Sequence, residues 1–391
     1  MVRSRIFGIV WILMALFYYI ASDSWLAAAI LLVTVGFFIY LPISVLSGAK
    51  LLKFRLSIQD EVIKNVPAGC RLLGKNLSLL PLAKAKVTVS FRNILTCSEE
   101  SADFYMAASP RGSHEIFWDF KSLYAGKTEI TVSEVTVYDF LGIFQKSFSG
   151  DTRHSIYVIP ETFLSSVDIS SRNAPNMDSD YYSDTRKGYD SGETFAIREY
   201  VPGDSTKFIH WKLSSKLDKV LVRELGFPIQ NSILVLLETG WTDRQPSASA
   251  VDAMIEAFIS LSHSLCDSGM EHHMCWYDHS QSRLFDYEVT DREGIQELMK
   301  EVLSSPASPD ESSVVSHYLD ACRDCRYAHV VYITCSVLPD EVLHLSAGSC
   351  VTVLKCTSED DAPEGAYLPS GISLIPFYGD TIRDDLCHLN I

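Results

Sequence analysis

Apolar residues dominate the first fifty positions of the chain and then break into short alternating runs, so the preferred solvent changes once, near Lys50. Ile6 to Ile20 carries no charge, Ser22-Asp23-Ser24 interrupts, and Trp25 to Leu46 again lacks Asp, Glu, Lys and Arg. A helix needs about 20 mostly apolar residues to cross the hydrocarbon core of a bilayer. Two spans are therefore predicted, over 6–22 and 25–46, joined by a tight turn into a hairpin within 1–49. Arg3 and Arg5 precede the first span, and Lys50, Lys53 and Arg55 follow the second. Cationic flanks stay on the cytoplasmic side, which places both ends, and the soluble body, in the cytoplasm of a multi-pass membrane protein. A cleaved signal peptide fits less well, because a longer apolar run follows at once and Ser22-Asp23-Ser24 lacks the small-residue cleavage pattern.

Beyond Lys53 the period becomes two. Lys86 to Phe91, Glu129 to Ser133, Val135 to Tyr138 and Ser155 to Ile159 are rich in β-branched and aromatic residues and are separated by turn residues. Short strands over roughly a hundred residues are most economically buried as two facing sheets, so 50–160 is expected to be a β-sandwich domain. Further on, a short fully apolar strand is predicted at Ser232–Leu237, another buried strand at His329–Thr334 and two more at Val351–Leu354 and Ile372–Phe377, with a helix over Ala248–Leu265. Strands alternating with helices imply an α/β domain over 229–391, its mainly parallel sheet covered on both faces. Residues 161–228 lie between, as a segment expected to pack on that last domain.

Composition narrows the function. A chain of 391 residues exceeds one ordinary domain. A formal charge of -16 opposes phosphate neutralisation, so no nucleic-acid role is expected. The ten cysteines are scattered, several of them inside apolar runs, which suits buried thiols in a reducing compartment better than a disulfide framework.

Several candidate chemistries fail on context. Gly69-x-x-x-x-Gly74-Lys75-Asn76 imitates a phosphate loop, but Asn76 stands where a magnesium-binding hydroxyl is required; Gly126-Lys127-Thr128 runs straight into a strand. Glu271-His272-His273 with Asp278-His279, and Cys322-x-x-Cys325, lack the paired spacing of a zinc site. No Gly-x-Ser-x-Gly elbow occurs.

The densest segment runs from Arg186 to Glu224. Pro202-Gly203 signals a turn, after which Asp204 or Ser205 is placed to cap a short helix. Phe208 and Trp211, three apart, share one face of that helix as its expected anchor. Around them stand Arg198, Lys207, His210 and Lys212, with Glu199, Asp204 and Glu224 as available partners.

Read as Gly192-Glu193-x-Phe195, Arg198-x-Tyr200-x-Pro202-Gly203-Asp204, Ile209-His210-Trp211-Lys212 and Leu221-Val222-Arg223-Glu224, this segment resembles the bacterial family catalogued as domain of unknown function 58. The resemblance extends to the twin-helix anchor, to Asp139-x-x-Gly142-x-Phe144 and to Val158-x-Pro160. It implies a bacterial cell-membrane location and a von Willebrand factor A-like C-terminal domain. It also implies a protein-interaction role for Arg198, Tyr200, Pro202, Gly203, Asp204, Ile209, Trp211, Lys212 and Glu224. The implied partners are a MoxR-type AAA+ ATPase and a transglutaminase-like membrane protein.

Ligands of such sheets bind beyond the strand C-termini, which brings Glu238 to Thr242 to the mouth. Working A-type domains present Asp-x-Ser-x-Ser there for a hard cation; this chain offers Glu238-Thr239-Gly240-Trp241-Thr242, a degenerate set in which only Glu238 and Thr242 remain as ligands. The expectation is a scaffold that is not an enzyme and carries no cofactor. The alternative is a metal-dependent adhesion or hydrolase-type site near Glu238.

Overall fold

The computed structural model describes residues 2–22, 24–168, 182–201, 204–228, 233–241, 245–310, 312–321, 327–346, 349–357 and 372–390, with side chains described at all of these except 2, 168, 182–196, 224–228 and 390. The chain divides into two compact units, Met1–Glu161 and Thr162–Ile391.

The first unit opens with two apolar helices, α1 (Val2–Ala21) and α2 (Trp25–Leu51), both long enough to cross a membrane. Ser24 caps α2, its Oγ accepting the Ala27 N–H at 3.3 Å and so satisfying one of the orphan donors of the first turn. The second helix extends five residues beyond the expected Leu46 and runs directly into a strand. Ten further residues of the helical pair's outer surface illustrate its character: Ile6, Phe7, Ile9, Trp11, Leu13, Phe17, Ile20, Leu32, Val33 and Phe37 are all exposed.

Nine strands follow: β1 (Leu52–Ser57), β2 (Glu61–Ile63), β3 (Ala68–Asn76), β4 (Leu82–Asn93), β5 (Glu99–Ala108), β6 (Ser113–Phe120), β7 (Gly126–Tyr138), β8 (Gln145–Ser149) and β9 (Arg153–Ile159). They form a sheet of order β1-β3-β6 and a second of order β2-β9-β7-β4-β5, with β8 also on β7. Cys70 and Leu72 from the first sheet share one core with Val87, Val89, Ile130, Val135, Ile156 and Val158 from the second, giving the expected sandwich-like packing. The two runs Glu129–Ser133 and Val135–Tyr138 are one strand. Ser133 is an extra residue opposite the Thr88/Val89 step, a bulge that shifts the alternation by one and lets Ser133 Oγ donate to Thr88 O at 3.1 Å.

One turn braces the helices. Buried Asp139 accepts N–H bonds from Ile143 (2.8 Å) and Phe144 (3.3 Å), and Gly142 takes a positive φ of 66°. That loop turns Ile143 O toward Arg5, whose Nε donates to it at 3.2 Å, and sets Ile143 Cδ1 against Gly8. Where α2 meets the sandwich, Gly48 lets Leu82 and Val137 approach the helix backbone.

The second unit holds β10 (Ser166–Asp168), β11 (Tyr182–Glu199), α3 (Trp211–Leu217), β12 (Leu221–Pro228), β13 (Ile233–Leu237), β14 (Gly240–Trp241), α4 (Ala248–Asp267), β15 (His272–Asp278), β16 (Arg283–Val289), α5 (Arg292–Ser304), β17 (Ser308–Pro309), α6 (Val314–Ala321), β18 (His329–Thr334), α7 (Pro339–Ser346), β19 (Cys350–Cys356), β20 (Ile372–Phe377), α8 (Ile382–Asp385) and β21 (His388–Asn390). Its main sheet has the order β16-β15-β13-β18-β19-β20; the β15–β16 pair is antiparallel and the other four pairs are parallel. Leu234 and Leu236 pack into a core with Val314, Val315 and Tyr318 of α6 and Val342 and Leu345 of α7. Their alternate neighbours Ile233, Val235 and Leu237 face the other side, where α4 lies against β13, β15, β18 and β19. Both faces are therefore covered, and β13 and β18 are buried at every position. Phe163 and Ser165 donate backbone N–H bonds to Ser260 and Ser264 of α4 (3.1 and 2.9 Å), and β10 pairs with β21, so the start of the 161–228 segment is held to this unit.

Gly126 tests the sandwich. Its φ is 134°, and a Cβ there would collide with Asn93 Oδ1, the acceptor for Leu95 and Thr96 N–H. Gly126→Ala is expected to destabilise the first unit by about 1–3 kcal/mol, read by denaturant unfolding of the full chain in detergent.

Candidate functional site

The segment singled out by its motif is built by its polar residues. Arg198 forms a two-pronged ion pair with Asp204, Nη1 to Oδ2 and Nη2 to Oδ1 both at 2.7 Å, and Asp204 Oδ2 also accepts the Val201 N–H at 2.9 Å. The guanidinium and the N–H hold the Asp204 carboxyl down to about 2. This clip closes the loop after β11. Tyr200 N–H then donates to Val220 O; after a 3-10 turn over Thr206–Phe208, a single bridge from Ile209 to Val222 and the bond from His210 N–H to Leu221 O hold the chain to the β11–β12 ribbon. Glu199 is paired with Lys219 at 2.5 Å.

Two expectations change here. Ser205 stands before a 3-10 turn over Thr206–Phe208 and makes no side-chain cap bond, so Phe208 is not on the helix of Trp211; α3 starts later, and its cap is His210, whose Nδ1 accepts the Leu213 N–H at 3.3 Å. Trp211 is not the anchor: it is 66% exposed, while Ile209 is buried on Val222 and Ser214 is buried through bonds with the Leu221 backbone. At the first position of a seven-residue helix, Trp211 falls outside the stripe that Leu213 and Ser214 turn inward. Lys212 is exposed. Pro202 and Gly203, and the side chain of Glu224, lie outside the described residues, as do those of Gly192, Glu193 and Phe195.

The sheet mouth is the second candidate. The chain leaves β13 for β15 on one side and later returns to β18 on the other, so the topological switch lies between β13 and β18. Glu238 sits there, 7% exposed. Its Oε1 accepts the Gly240 N–H (2.9 Å); its Oε2 accepts the Val314 N–H at the start of α6 (2.8 Å) and the Tyr332 hydroxyl (3.2 Å). Burial pushes the Glu238 carboxyl up to about 7 in spite of these three donors, and the nearby Glu341 adds to the rise. The carboxylate thus fills the place where such sheets bind an anion, and its own chain uses both oxygens. Thr242 lies outside the described residues, and among those described no group of three or more His, Cys, Asp or Glu could hold a metal ion.

Beside Glu238 lies a cluster that sequence reading left unassembled. Asp310 Oδ2 contacts His279 Nδ1 at 3.1 Å and His317 Nε2 at 3.2 Å, and the His317 ring stacks on Tyr277 at 3.6 Å. Burial lowers the His279 pKa more than Asp310 raises it. For Asp310 burial acts upward but is outweighed by Ser312 N–H and the two histidines, so its pKa is lowered. Gly240 permits this crowding, since a Cβ there would lie 3.1 Å from Glu238 Oε1 and 3.3 Å from His279 Nε2. The three groups come from β13, β15 and the β17–α6 stretch, so only the sheet order brings them together.

The remaining candidates have ordinary roles. His272 is buried between Ser262 Oγ and Met270 O, His273 pairs with Asp286, and Cys322 and Cys325 lie outside the described residues. The Gly69–Asn76 stretch is the extended strand β3, and Gly126 opens β7, so neither precedes a helix. Among the described cysteines Cys70, Cys275 and Cys356 are buried, whereas Cys97 and Cys387 are exposed.

Ile209→Ala should cost about 2–5 kcal/mol and Trp211→Ala less than about 0.5 kcal/mol in denaturant unfolding, an inversion of what residue size alone suggests. Glu238 has a folded pKa of about 7 against an ordinary 4.5, so the proton it binds favours the folded state. That stabilisation is complete below the unfolded value and is lost as pH rises through 7, with a swing on the order of 3 kcal/mol. Glu238→Gln is expected to flatten thermal stability between about pH 5 and pH 8.

No family model matches the chain, and no curated protein matches it. Solved structures that resemble part of it include a CARDB domain from Pyrococcus furiosus, in complex with di-metal ions (16% identity, 28% of this chain and 87% of that chain, TM-score 0.20). A β-glucosidase from Listeria innocua in complex with isofagomine matches at 13% identity over 27% of this chain and 16% of the other, TM-score 0.19. The alkylpurine DNA glycosylase AlkC of Pseudomonas fluorescens, bound to DNA, matches at 13% identity over 27% and 33%, TM-score 0.19. Likeness at this level leaves fold and function to be argued from the residues of this chain.

Proposed function

We propose that the chain is a membrane-anchored scaffold of the bacterial cell membrane, its two apolar helices spanning the bilayer and both soluble units lying in the cytoplasm. The observation that carries this reading is the outward apolar surface of α1 and α2. Phe17, Ile20 and Leu32 are each 74% exposed, on helices of 20 and 27 residues, and such a surface calls for a hydrocarbon solvent. Arg3 and Arg5 before the pair and Lys50, Lys53 and Arg55 after it support cytoplasmic ends.

The motif resemblance supports membership of the domain of unknown function 58 family, and the doubly covered, mostly parallel sheet supports a von Willebrand factor A-like second unit. On that reading the protein does no chemistry itself. It presents its second unit to a MoxR-type AAA+ ATPase and acts beside a transglutaminase-like membrane protein in assembling envelope or other complexes. Engagement of both Glu238 oxygens by the chain's own donors favours this over a metal-dependent adhesion or hydrolase-type site.

A tag placed after Ile391 should be protected from protease in intact cells and cleaved in inverted vesicles; cleavage in intact cells would overturn the cytoplasmic placement. Purification from membranes under nucleotide-trapping conditions should recover the ATPase in stoichiometric amount, and its absence would remove the proposed partner.

A further inference from the structure

The residues between Ile197 and Arg223 differ from the rest of the chain in two ways. They hold six Lys or Arg against three Asp or Glu, on a protein of formal charge -16. They also leave large apolar side chains in water: Trp211, Val201, Leu217, Val220 and Ile197 are all exposed. Tyr200 N–H pairs with Val220 O beside Val201, and the short helix α3, which follows within the same segment, carries Trp211 at its start and Leu217 at its end. Arg198 and Lys219 are neutralised by Asp204 and Glu199. Lys207, Lys212 and Lys216 are exposed and form no ion pair among the described residues. Lys212 and Lys216, four apart, stand on one stripe of α3.

We infer that this face docks on an anionic lipid surface, Trp211 entering the headgroup layer and Lys207, Lys212 and Lys216 pairing with lipid phosphates. The inference rests on the membrane anchorage proposed above. Charge complementarity calls for an anionic occupant. The residue types choose between the two anionic classes. Lysine is depleted at protein–protein interfaces, where arginine and aromatic residues dominate. Tryptophan flanked by lysine and aliphatic residues is the composition of a surface lying at the bilayer boundary.

The test uses the full chain in nanodiscs of phosphatidylcholine alone or mixed with phosphatidylglycerol, with and without bromine on the acyl chains. The contribution of Trp211 is taken as the difference between the wild-type protein and Trp211→Phe, both checked for equal circular dichroism. Bromination should reduce that difference about twofold or more in the anionic discs and leave it unchanged in the neutral ones. Lys212→Glu with Lys216→Glu should abolish the effect, at about fivefold in partitioning per lysine. If Trp211 stays unquenched by bromine and open to aqueous iodide in the anionic discs, the inference fails and an acidic protein becomes the occupant to seek. Equal quenching in neutral and anionic discs, unaffected by the charge reversals, also overturns it. Trp11 and Trp25, in the apolar helices, remain in Trp211→Phe; loss of bromine quenching from them would instead defeat the anchorage itself.

Discussion

Leu51 ends an apolar helix long enough to cross a membrane, and Leu52 begins a strand of the sandwich, with no residue between them. Leu52 N–H still donates to Gly48 O, so the last helical turn and the first strand share one rigid backbone. Everything in the first unit follows from managing that junction. Gly48 lets the β4 and β7 side chains reach the helix, the Asp139 loop returns from β7 to meet Arg5 and Gly8 at the start of α1, and β1 continues into the smaller sheet. A flexible linker would decouple the apolar pair from the sandwich; this arrangement fixes one to the other.

Where the hydrophobic period is strong and local, the sequence could be read directly. β13, β18 and β20 appear within a residue of their expected limits; β13 and β18 are buried at every position, and β20, at the sheet edge, still carries an apolar run. β7 was harder, since the bulge at Ser133 reverses which residues point inward and imitates a strand break. Long-range contacts were not legible. The meeting of Glu238, His279 and Asp310 depends on the order of strands in the sheet, and the three positions lie far apart in the chain.

The motif segment shows a different limit. For Trp211 the environment differs from the buried anchor that its spacing predicts. Size and spacing make a tryptophan beside a phenylalanine look like an anchor. Yet the fixed positions are taken by a charge clip, Arg198 with Asp204, by the small Ser214 and by Ile209. A bidentate pair sets direction as well as strength, so it can hold a loop whose side chains contribute little burial. Tryptophan is then released from a packing role, and its exposure costs the fold little.

A similar contrast separates the sheet mouth from the motif. At the mouth the carboxylates are held by the chain's own groups: Glu238 accepts the N–H at the start of α6, and Asp310 is shared between two histidines. A carboxylate buried there lowers the electrostatic cost of the free N–H groups at Gly240 and Val314, yet burial keeps its own pKa near neutrality. Such a site is already occupied by its own chain, and an external ligand would have to displace a satisfied acid from a dry pocket. At the motif the paired charges stand in solvent too, and Lys207, Lys212 and Lys216 lie exposed with Trp211, without an ion pair among the described residues. Recognition by this unit is therefore better sought on the Trp211 face, where binding removes apolar surface from water without first breaking a buried network.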